Sequence, residues 1–321
     1  MSHIYFHIGY PKSASTTLQK QLFNKHSELI NLGLYPTNNV GSDTTISEFS
    51  NYTNDKNIKL FYDNLLKKNE LNYQKSSNDK LRNKLLEQYK EENKSFIFSE
   101  ERATSVFFTH PDIGLKANRI KSLFPNARII IIVRNQIEAM TSMYADFPFD
   151  PRSFAIGDPI DIDKWVKIVL EDDFLFYKDM LDYNSVINYY HELFGIENVC
   201  VLPFEMLVKD IKNFSDAISN FMNINKEETL KLLSQRHENK RVSHRYNIAR
   251  SLRKKYMPNV SVRNFLGEKI TDKINSFLKD GKSKKYKMSY EMEQEVYKYY
   301  KESNSAISEY LISYKENYIK G

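Results

Sequence analysis

The chain has 321 residues, 41% of them hydrophobic and 13% aromatic, with 47 Lys and Arg against 41 Asp and Glu. That apolar share supports a sizeable core and excludes wholesale disorder, while nine Gly and nine Pro exclude collagen-like and low-complexity classes. A single cysteine excludes a disulfide scaffold and a cysteine-based zinc or iron–sulfur site, and it fits a reducing compartment.

Residues 4–9 (Ile-Tyr-Phe-His-Ile-Gly) form a short β-branched and aromatic run that ends at Gly9-Tyr10-Pro11. This predicts a strand, a loop over 9–15 and a helix from about Ser15 to His26, with Leu18, Leu22 and Phe23 on one face. Residues 33–94 are rich in Asn and Lys and read as helices and loops without a strand. A second strand is expected at 95–99 and a third at 128–134. Ile129–Val133 shows no alternation, so both faces of that strand should be covered, as in a parallel sheet. A helix is expected from Gln136 to about Ala145, then a helical stretch from Asp161 to Phe194 broken near Tyr183–Asn184, then a fourth strand at 198–203. The last hundred residues read as all-helical, with Met288, Met292, Val296 and Tyr299 at helical spacing on a long final helix.

Strands alternating with helices indicate an α/β fold. One domain over 1–321 is expected, with a core over 1–210, a helical insertion at 33–94 and a helical C-terminal region over 211–321. No run approaches the ~18 apolar residues of a membrane span, and no basic segment precedes a long apolar run at the start. The expectation is a cytoplasmic protein without a membrane span. Residues 236–287 hold sixteen Lys and Arg against four Asp and Glu, leaving 31 against 37 elsewhere. This segment is either a solvated basic face or a wall that binds anions. A nucleic-acid partner is not expected, since no nucleic-acid-binding motif is present.

Two motifs carry chemistry. In Gly9-Tyr10-Pro11-Lys12-Ser13-Ala14-Ser15-Thr16-Thr17, small hydroxyl residues open a helix directly after a strand. The first amides of a helix have no acceptor within it, and its dipole adds positive potential, so an anion is favoured there; Lys12 adds a full charge. The loop does not match G-x-x-x-x-G-K-[ST]. No Asp follows the Ile129–Val133 strand, so the usual magnesium ligand of phosphate-loop NTPases is missing. In the second motif, Arg134 ends the strongest strand and Ser142 lies about two turns into the next helix. Both can reach an anion at the carboxyl edge of the sheet. Cys200 reads as a packed core residue, and His7 as a hydrogen-bonded core histidine.

These residues resemble a known family. Tyr10 to Leu18 resembles the loop that holds the 5′-phosphosulfate in sulfotransferases using 3′-phosphoadenosine 5′-phosphosulfate (PAPS). Ile132-Val133-Arg134-Asn135, with Ser142-Met143-Tyr144, resembles their 3′-phosphate motif, and Asn198 to Asp210 is similar to the strand and turn near the end of their catalytic domain. The resemblance spans residues 4–210 and is nearest to bacterial sulfotransferases of the carbohydrate type. It implies a P-loop-NTPase-like parallel sheet flanked by helices, a helical C-terminal region, PAPS as donor, adenosine 3′,5′-bisphosphate as product, and no metal. It assigns Pro11, Lys12, Ser13, Ala14, Ser15, Thr16, Thr17, Arg134 and Ser142 to the donor, with Arg241 and Ser243 in a late loop over the 3′-phosphate. Lys12 would stabilise charge on the departing phosphate oxygen. The general base of carbohydrate sulfotransferases is commonly a Glu after the second core strand; Glu100 is the first choice here and Glu101 the second, each also readable as a helix N-terminal carboxylate. The acceptor would be a hydroxyl on a carbohydrate or glycan, and an anionic one would suit the basic segment.

Three departures from the family pattern matter. Ala14 stands where the loop usually has Gly, so an ordinary helical φ is expected there. Leu18 stands where many small-molecule sulfotransferases carry Trp, so another group must cover the base. Gln136 replaces a Pro, a change expected to remove a preference and not a contact. Two rivals remain at this level: a metal-dependent kinase with a divergent phosphate loop, and a non-catalytic binder of anionic glycans.

Overall fold

The computed structural model describes residues 3–33, 55–91, 93–104, 112–153, 159–172, 177–235, 266–279 and 285–311, with positions 246, 249, 253, 314, 316 and 318 described singly. Strands β1 (Ile4–His7), β2 (Leu29–Asn31), β3 (Ser95–Ser99), β4 (Arg128–Val133) and β5 (Val199–Pro203) form one sheet in the order β2-β3-β1-β4-β5. Every pairing is parallel. His7 pairs with Ser99 on one side and Ile130 on the other.

The sheet sorts its side chains by period two. Phe6, Phe98, Ile129, Ile131 and Val133 face one core, and Tyr5, Ile97, Ile130 and Ile132 face the other. The unbroken apolar run in β4 therefore feeds two cores, one on each face. On the first face pack α2 (Lys56–Lys67), α3 (Lys75–Gln88), α4 (Ile113–Leu123), α5 (Gln136–Asp146), α6 (Ile162–Glu171), α7 (Tyr177–Met180) and α8 (Tyr183–Phe194). Phe6 and Phe98 stack there at 5.7 Å. On the second face lie the turn α1 (Ser15–Thr17), its continuation Leu18–Phe23, α9 (Phe204–Lys209), α10 (Ile211–Met222) and α11 (Lys226–Ser234). The C-terminal region adds α12 (Glu268–Lys279), α13 (Tyr290–Ala306) and α14 (Ser308–Leu311). Side-chain caps recur at helix starts: Asp112 accepts from Leu115 N, Asn135 from Glu138 N, and Ser289 from Met292 N.

The chain leaves β1 towards β2 at one edge of the sheet and leaves β4 towards β5 at the other. The direction of crossing thus reverses between β1 and β4, which are neighbours. The crevice beyond the carboxyl ends of such strands is where α/β sheets bind ligands. It receives the 9–14 loop from β1 and Arg134 from β4, with Glu100 and Glu101 arriving from β3 next door.

Several expectations need correction. β2 is an additional strand. It has three residues, too few for a readable alternation, and it exists because Leu29, Ile30 and Asn31 align with Ser95, Phe96 and Ile97. The first helix does not reach His26. It begins as an α-turn and widens over Leu18–Phe23, where Asn24 N reaches back five residues to Gln19 O (3.0 Å). The widening leaves Leu18, Leu22 and Phe23 in the core and Gln19 buried against Ser99. Among its described residues the 161–194 stretch forms three helices, and the third opens at Tyr183, where a break is expected. On α13 the buried stripe is Met292, Val296, Tyr297, Tyr300 and Asn304, whereas Tyr299 is 48% exposed and Met288 precedes the helix.

Ala14 does not have a helical φ. It lies at φ 63, ψ 15, and Lys12 at φ 68. The left-handed region costs an L-residue roughly 1–2 kcal/mol, while Gly adds unfolded-chain entropy worth roughly 0.4–1 kcal/mol. Ala14→Gly is therefore expected to raise the unfolding free energy in urea by about 0.5–1 kcal/mol; an unchanged or lower midpoint would show that the loop carries no such strain.

Candidate functional site

The loop is built around Gly9. A Cβ there would come 2.4 Å from Ser15 Oγ and 2.6 Å from the His7 ring, so only glycine lets the loop lie flat on the imidazole. His7 is fully buried, its Nδ1 is 2.7 Å from Ser99 Oγ, and burial lowers its pKa to about 3. It is a neutral, hydrogen-bonded core group beneath the loop. Above it the chain turns through the left-handed Lys12 and Ala14 into α1. Ser13 N is held by Tyr10 O at 3.2 Å, and Leu18 N is the amide that reaches back to Ala14 O at 3.0 Å. The amides of Ser15, Thr16 and Thr17 belong to the first helical turn, where no acceptor exists within the helix. Ser13 Oγ is buried without a hydrogen-bond partner among the described residues. Pro11 and Ser15 are buried, and Thr16 and Thr17 are half-buried.

Arg134 closes the loop from the β4 side. Its Nη1 donates to Lys12 O at 2.7 Å, and its guanidinium lies 4.5 Å over the Phe204 ring. Nη2 is 3.4 Å from Glu138 Oε2. The Arg134 carbonyl accepts from Tyr183 Oη at 2.6 Å, and the Tyr183 ring meets Tyr10 edge-on at 4.8 Å. Glu138, Ser142 and Asp146 follow one another at four-residue spacing on α5 and so share one face. Glu138 reaches Arg134, and Asp146 accepts from the Lys12 ammonium. Half-buried Ser142 is therefore on the stripe between the two cations.

The Lys12 and Asp146 side chains are 31% and 32% exposed. An ion pair that open to water contributes little, about 0–1 kcal/mol. Lys12 is thus held by a contact that a more highly charged anion in the loop can displace. Asp146 is not singled out by the motifs, and the one signal for it in the sequence is its four-residue step from Ser142.

The β3 side brings the two glutamates. Glu100 is 3% exposed, and Arg102 occupies its carboxylate: Oε1 accepts from Arg102 N at 3.1 Å and Nε at 2.9 Å, and Oε2 from Nη2 at 3.1 Å. Glu101 is half-buried. Burial raises its pKa to about 7, the nearby Glu100 and Asp146 charges push the same way, and Lys12 and Arg102 oppose them. Two contacts anchor this turn. Thr104 Oγ1 donates to Gly9 O at 2.9 Å, and Lys116 Nζ to Arg102 O at 2.9 Å. The two glutamates differ in their surroundings: Glu100 is committed to a guanidinium, while Glu101 stands in the electrostatic field of Lys12.

Gln136 did gain a contact. Its amide is buried and pairs with Asn304, Nε2 donating to Oδ1 at 2.7 Å. Leu18 is core. Arg241 and Ser243 lie outside the described residues. Among the described residues no group of three His, Cys, Asp or Glu side chains is placed to hold a metal ion, and no helix is long and apolar enough to cross a membrane.

Comparison with known proteins yields one family. A family model described as the sulfotransferase family matches residues 5–228. No curated protein matches the chain in sequence. Among solved structures, a sulfotransferase from Alicyclobacillus acidocaldarius is 12% identical, with 96% of each chain covered and a TM-score of 0.50. The mouse sulfotransferase SULT7A1, solved with PAP, is 16% identical over 97% of this chain and 88% of its own, with a TM-score of 0.48. A sulfotransferase domain from the curacin biosynthetic pathway is 16% identical over 92% of this chain and 96% of its own, with a TM-score of 0.42. The first of these shares the fold, and the family match covers more than two thirds of the chain; the chain belongs to the sulfotransferase family.

Proposed function

We propose that the protein transfers a sulfonate group from PAPS to a hydroxyl on a carbohydrate or glycan. The observation that carries this reading is the 2.7 Å bond from Arg134 Nη1 to Lys12 O, which sets a guanidinium and an ammonium on one crevice with a glutamate opposite. The residues fit such a donor: Ser13 Oγ is buried and without a partner among the described residues, and the loop packs so closely over Gly9 that a Cβ there would meet Ser15 Oγ and the His7 ring. Bound there, the donor supplies a transferable sulfonate and a phosphate leaving group.

The α1 amides with Ser13, Ser15, Thr16 and Thr17 bind the 5′-phosphate, and Pro11 and Ala14 shape the loop that presents them. Arg134 and Ser142 bind the 3′-phosphate. Lys12 leaves Asp146 and stabilises the negative charge that develops on the departing phosphate oxygen. Glu101 takes the proton of the acceptor hydroxyl as its oxygen attacks sulfur. Glu100 holds Arg102, and with it the turn that carries Glu101. A carboxylate base after β3 supports a carbohydrate acceptor over a small phenol, by resemblance to carbohydrate sulfotransferases. The basic segment at 236–287 supports an anionic one. A cytoplasmic location rests on the single cysteine, Cys200, whose thiol packs against the second core.

Lys12→Ala is expected to lower sulfonate transfer from PAPS to an acceptor panel about 10²–10³-fold, the loss of one charged transition-state contact, with the melting temperature little changed. An unchanged rate removes Lys12 from the chemistry. Arg134→Ala should weaken adenosine 3′,5′-bisphosphate far more than adenosine 5′-phosphate in calorimetry; equal losses would mean that Arg134 does not read the 3′-phosphate.

The pH dependence follows from Glu101. Below about 7 its carboxyl holds a proton and cannot accept one, and above about 7 it is ionised. kcat/KM should therefore rise with pH through about 7, since that ratio reports groups of the free enzyme. Glu101→Gln should remove this limb and lower the rate by about 10²–10⁴-fold. A retained limb would assign the base elsewhere.

A further inference from the structure

Arg134 is followed by two residues that reach deep into the molecule. Asn135 N donates to Glu205 Oε1 at 3.1 Å, and Glu205 Oε2 accepts from Tyr318 Oη at 2.6 Å. The Tyr318 carbonyl accepts from Asn304 Nδ2 at 2.9 Å. Asn304 then returns to Gln136 through both amide atoms, at 2.7 and 3.1 Å. The circuit closes: Asn135, Glu205, Tyr318, Asn304, Gln136, and back through one peptide bond to Asn135. All five residues are buried, at 0% to 9% exposure. Burial, reinforced by the Glu205 charge, keeps the Tyr318 hydroxyl protonated, so it donates.

A second brace runs beside the first. Ser303, next to Asn304 on α13, donates through Oγ to Asp182 Oδ1 at 2.5 Å and accepts from Asn184 N at 3.1 Å. Those two residues flank Tyr183, whose hydroxyl holds the Arg134 carbonyl. Adjacent residues of one C-terminal helix thus govern the carbonyl of Arg134, the amide of Asn135 and the side chain of Gln136. Ser303, Asn304 and Tyr318 all lie beyond residues 5–228, the stretch that the family model matches.

We propose that Asn304 and Tyr318 are positioning residues for the donor site: their hydrogen-bond ring aims Arg134 at the 3′-phosphate, so that the C-terminal region of this chain is part of its nucleotide specificity. The inference rests on the PAPS reading above. A ring that only held helices together would support all ligands alike. The ring holds the Asn135 amide and the Gln136 side chain, directly after the residue that reads the 3′-phosphate, and none of its own hydrogen bonds reaches residues 9–17. Removing one buried hydrogen bond misaims the guanidinium without removing its charge.

The test is calorimetric titration with adenosine 3′,5′-bisphosphate and adenosine 5′-phosphate. Tyr318→Phe keeps the ring packing and removes the donor to Glu205. It is expected to weaken the bisphosphate about tenfold, within the usual coupling of contacting residues, while the monophosphate changes by about twofold or less. In an Arg134→Ala background, Tyr318→Phe should add nothing to the bisphosphate loss. Equal losses for both nucleotides, no loss, or a loss that adds fully to that of Arg134→Ala would overturn the proposal. Gln136→Met breaks the opposite limb of the ring and carries the same expectations and the same refutation if Tyr318→Phe does not fold. A wild-type protein that binds both nucleotides alike, or neither, overturns the donor reading and the ring's role together, whereas a wild-type preference for the bisphosphate that survives both variants overturns the ring alone.

Discussion

One hydrogen bond organises the site: the Arg134 guanidinium donating to the Lys12 carbonyl. It spans 122 residues of sequence and joins the turn after β4 to the loop after β1. The parallel sheet makes this contact available, because β1 and β4 are neighbours whose connections diverge. Left-handed Lys12 presents its carbonyl to Arg134 and its ammonium to Asp146, and these contacts stand against the backbone strain at 12 and 14. Phe204 under the guanidinium and Tyr183 on the Arg134 carbonyl leave the side chain little freedom.

Each of the two cations of the candidate site is paired with a carboxylate. Arg134 faces Glu138, and Lys12 faces Asp146, both on one stripe of α5 with Ser142 between them. These carboxylates keep two neighbouring cations from repelling one another when no anion is present. Both are open to water, so on the proposed reading a phosphate would displace them at small cost. Opposite lies Glu101, kept near neutrality in its titration by burial and by its acidic neighbours, while Glu100 is bound to Arg102. Two adjacent carboxylates thus stand in different environments set by their surroundings alone.

Much of this was legible in the amino-acid order. The Ile129–Val133 run announced a strand covered on both faces, and Gly9 before the Pro-Lys-Ser run announced a loop opening a helix. What escaped did so for physical reasons. β2 is too short to carry a period, and its partner strand defines it. Ala14 favours a helical φ by residue identity, yet in the fold it takes a left-handed turn. The Met288 to Tyr299 spacing marked the right helix but the wrong edge of its buried face, which Tyr300 and Asn304 carry. Neighbouring glutamates cannot be told apart in sequence, since only the fold shows which one Arg102 takes. The Gln136–Asn304 pair is separated by 168 residues, and no local pattern announces it.

The account rests on two anion seats joined in one crevice. A crystal structure of the protein with adenosine 3′,5′-bisphosphate tests this most directly. It should place the 5′-phosphate on the amides and hydroxyls of residues 13–17 and the 3′-phosphate within hydrogen-bonding distance of Arg134 and Ser142. A nucleotide bound elsewhere, or one whose 3′-phosphate points away from Arg134 into solvent, would contradict it.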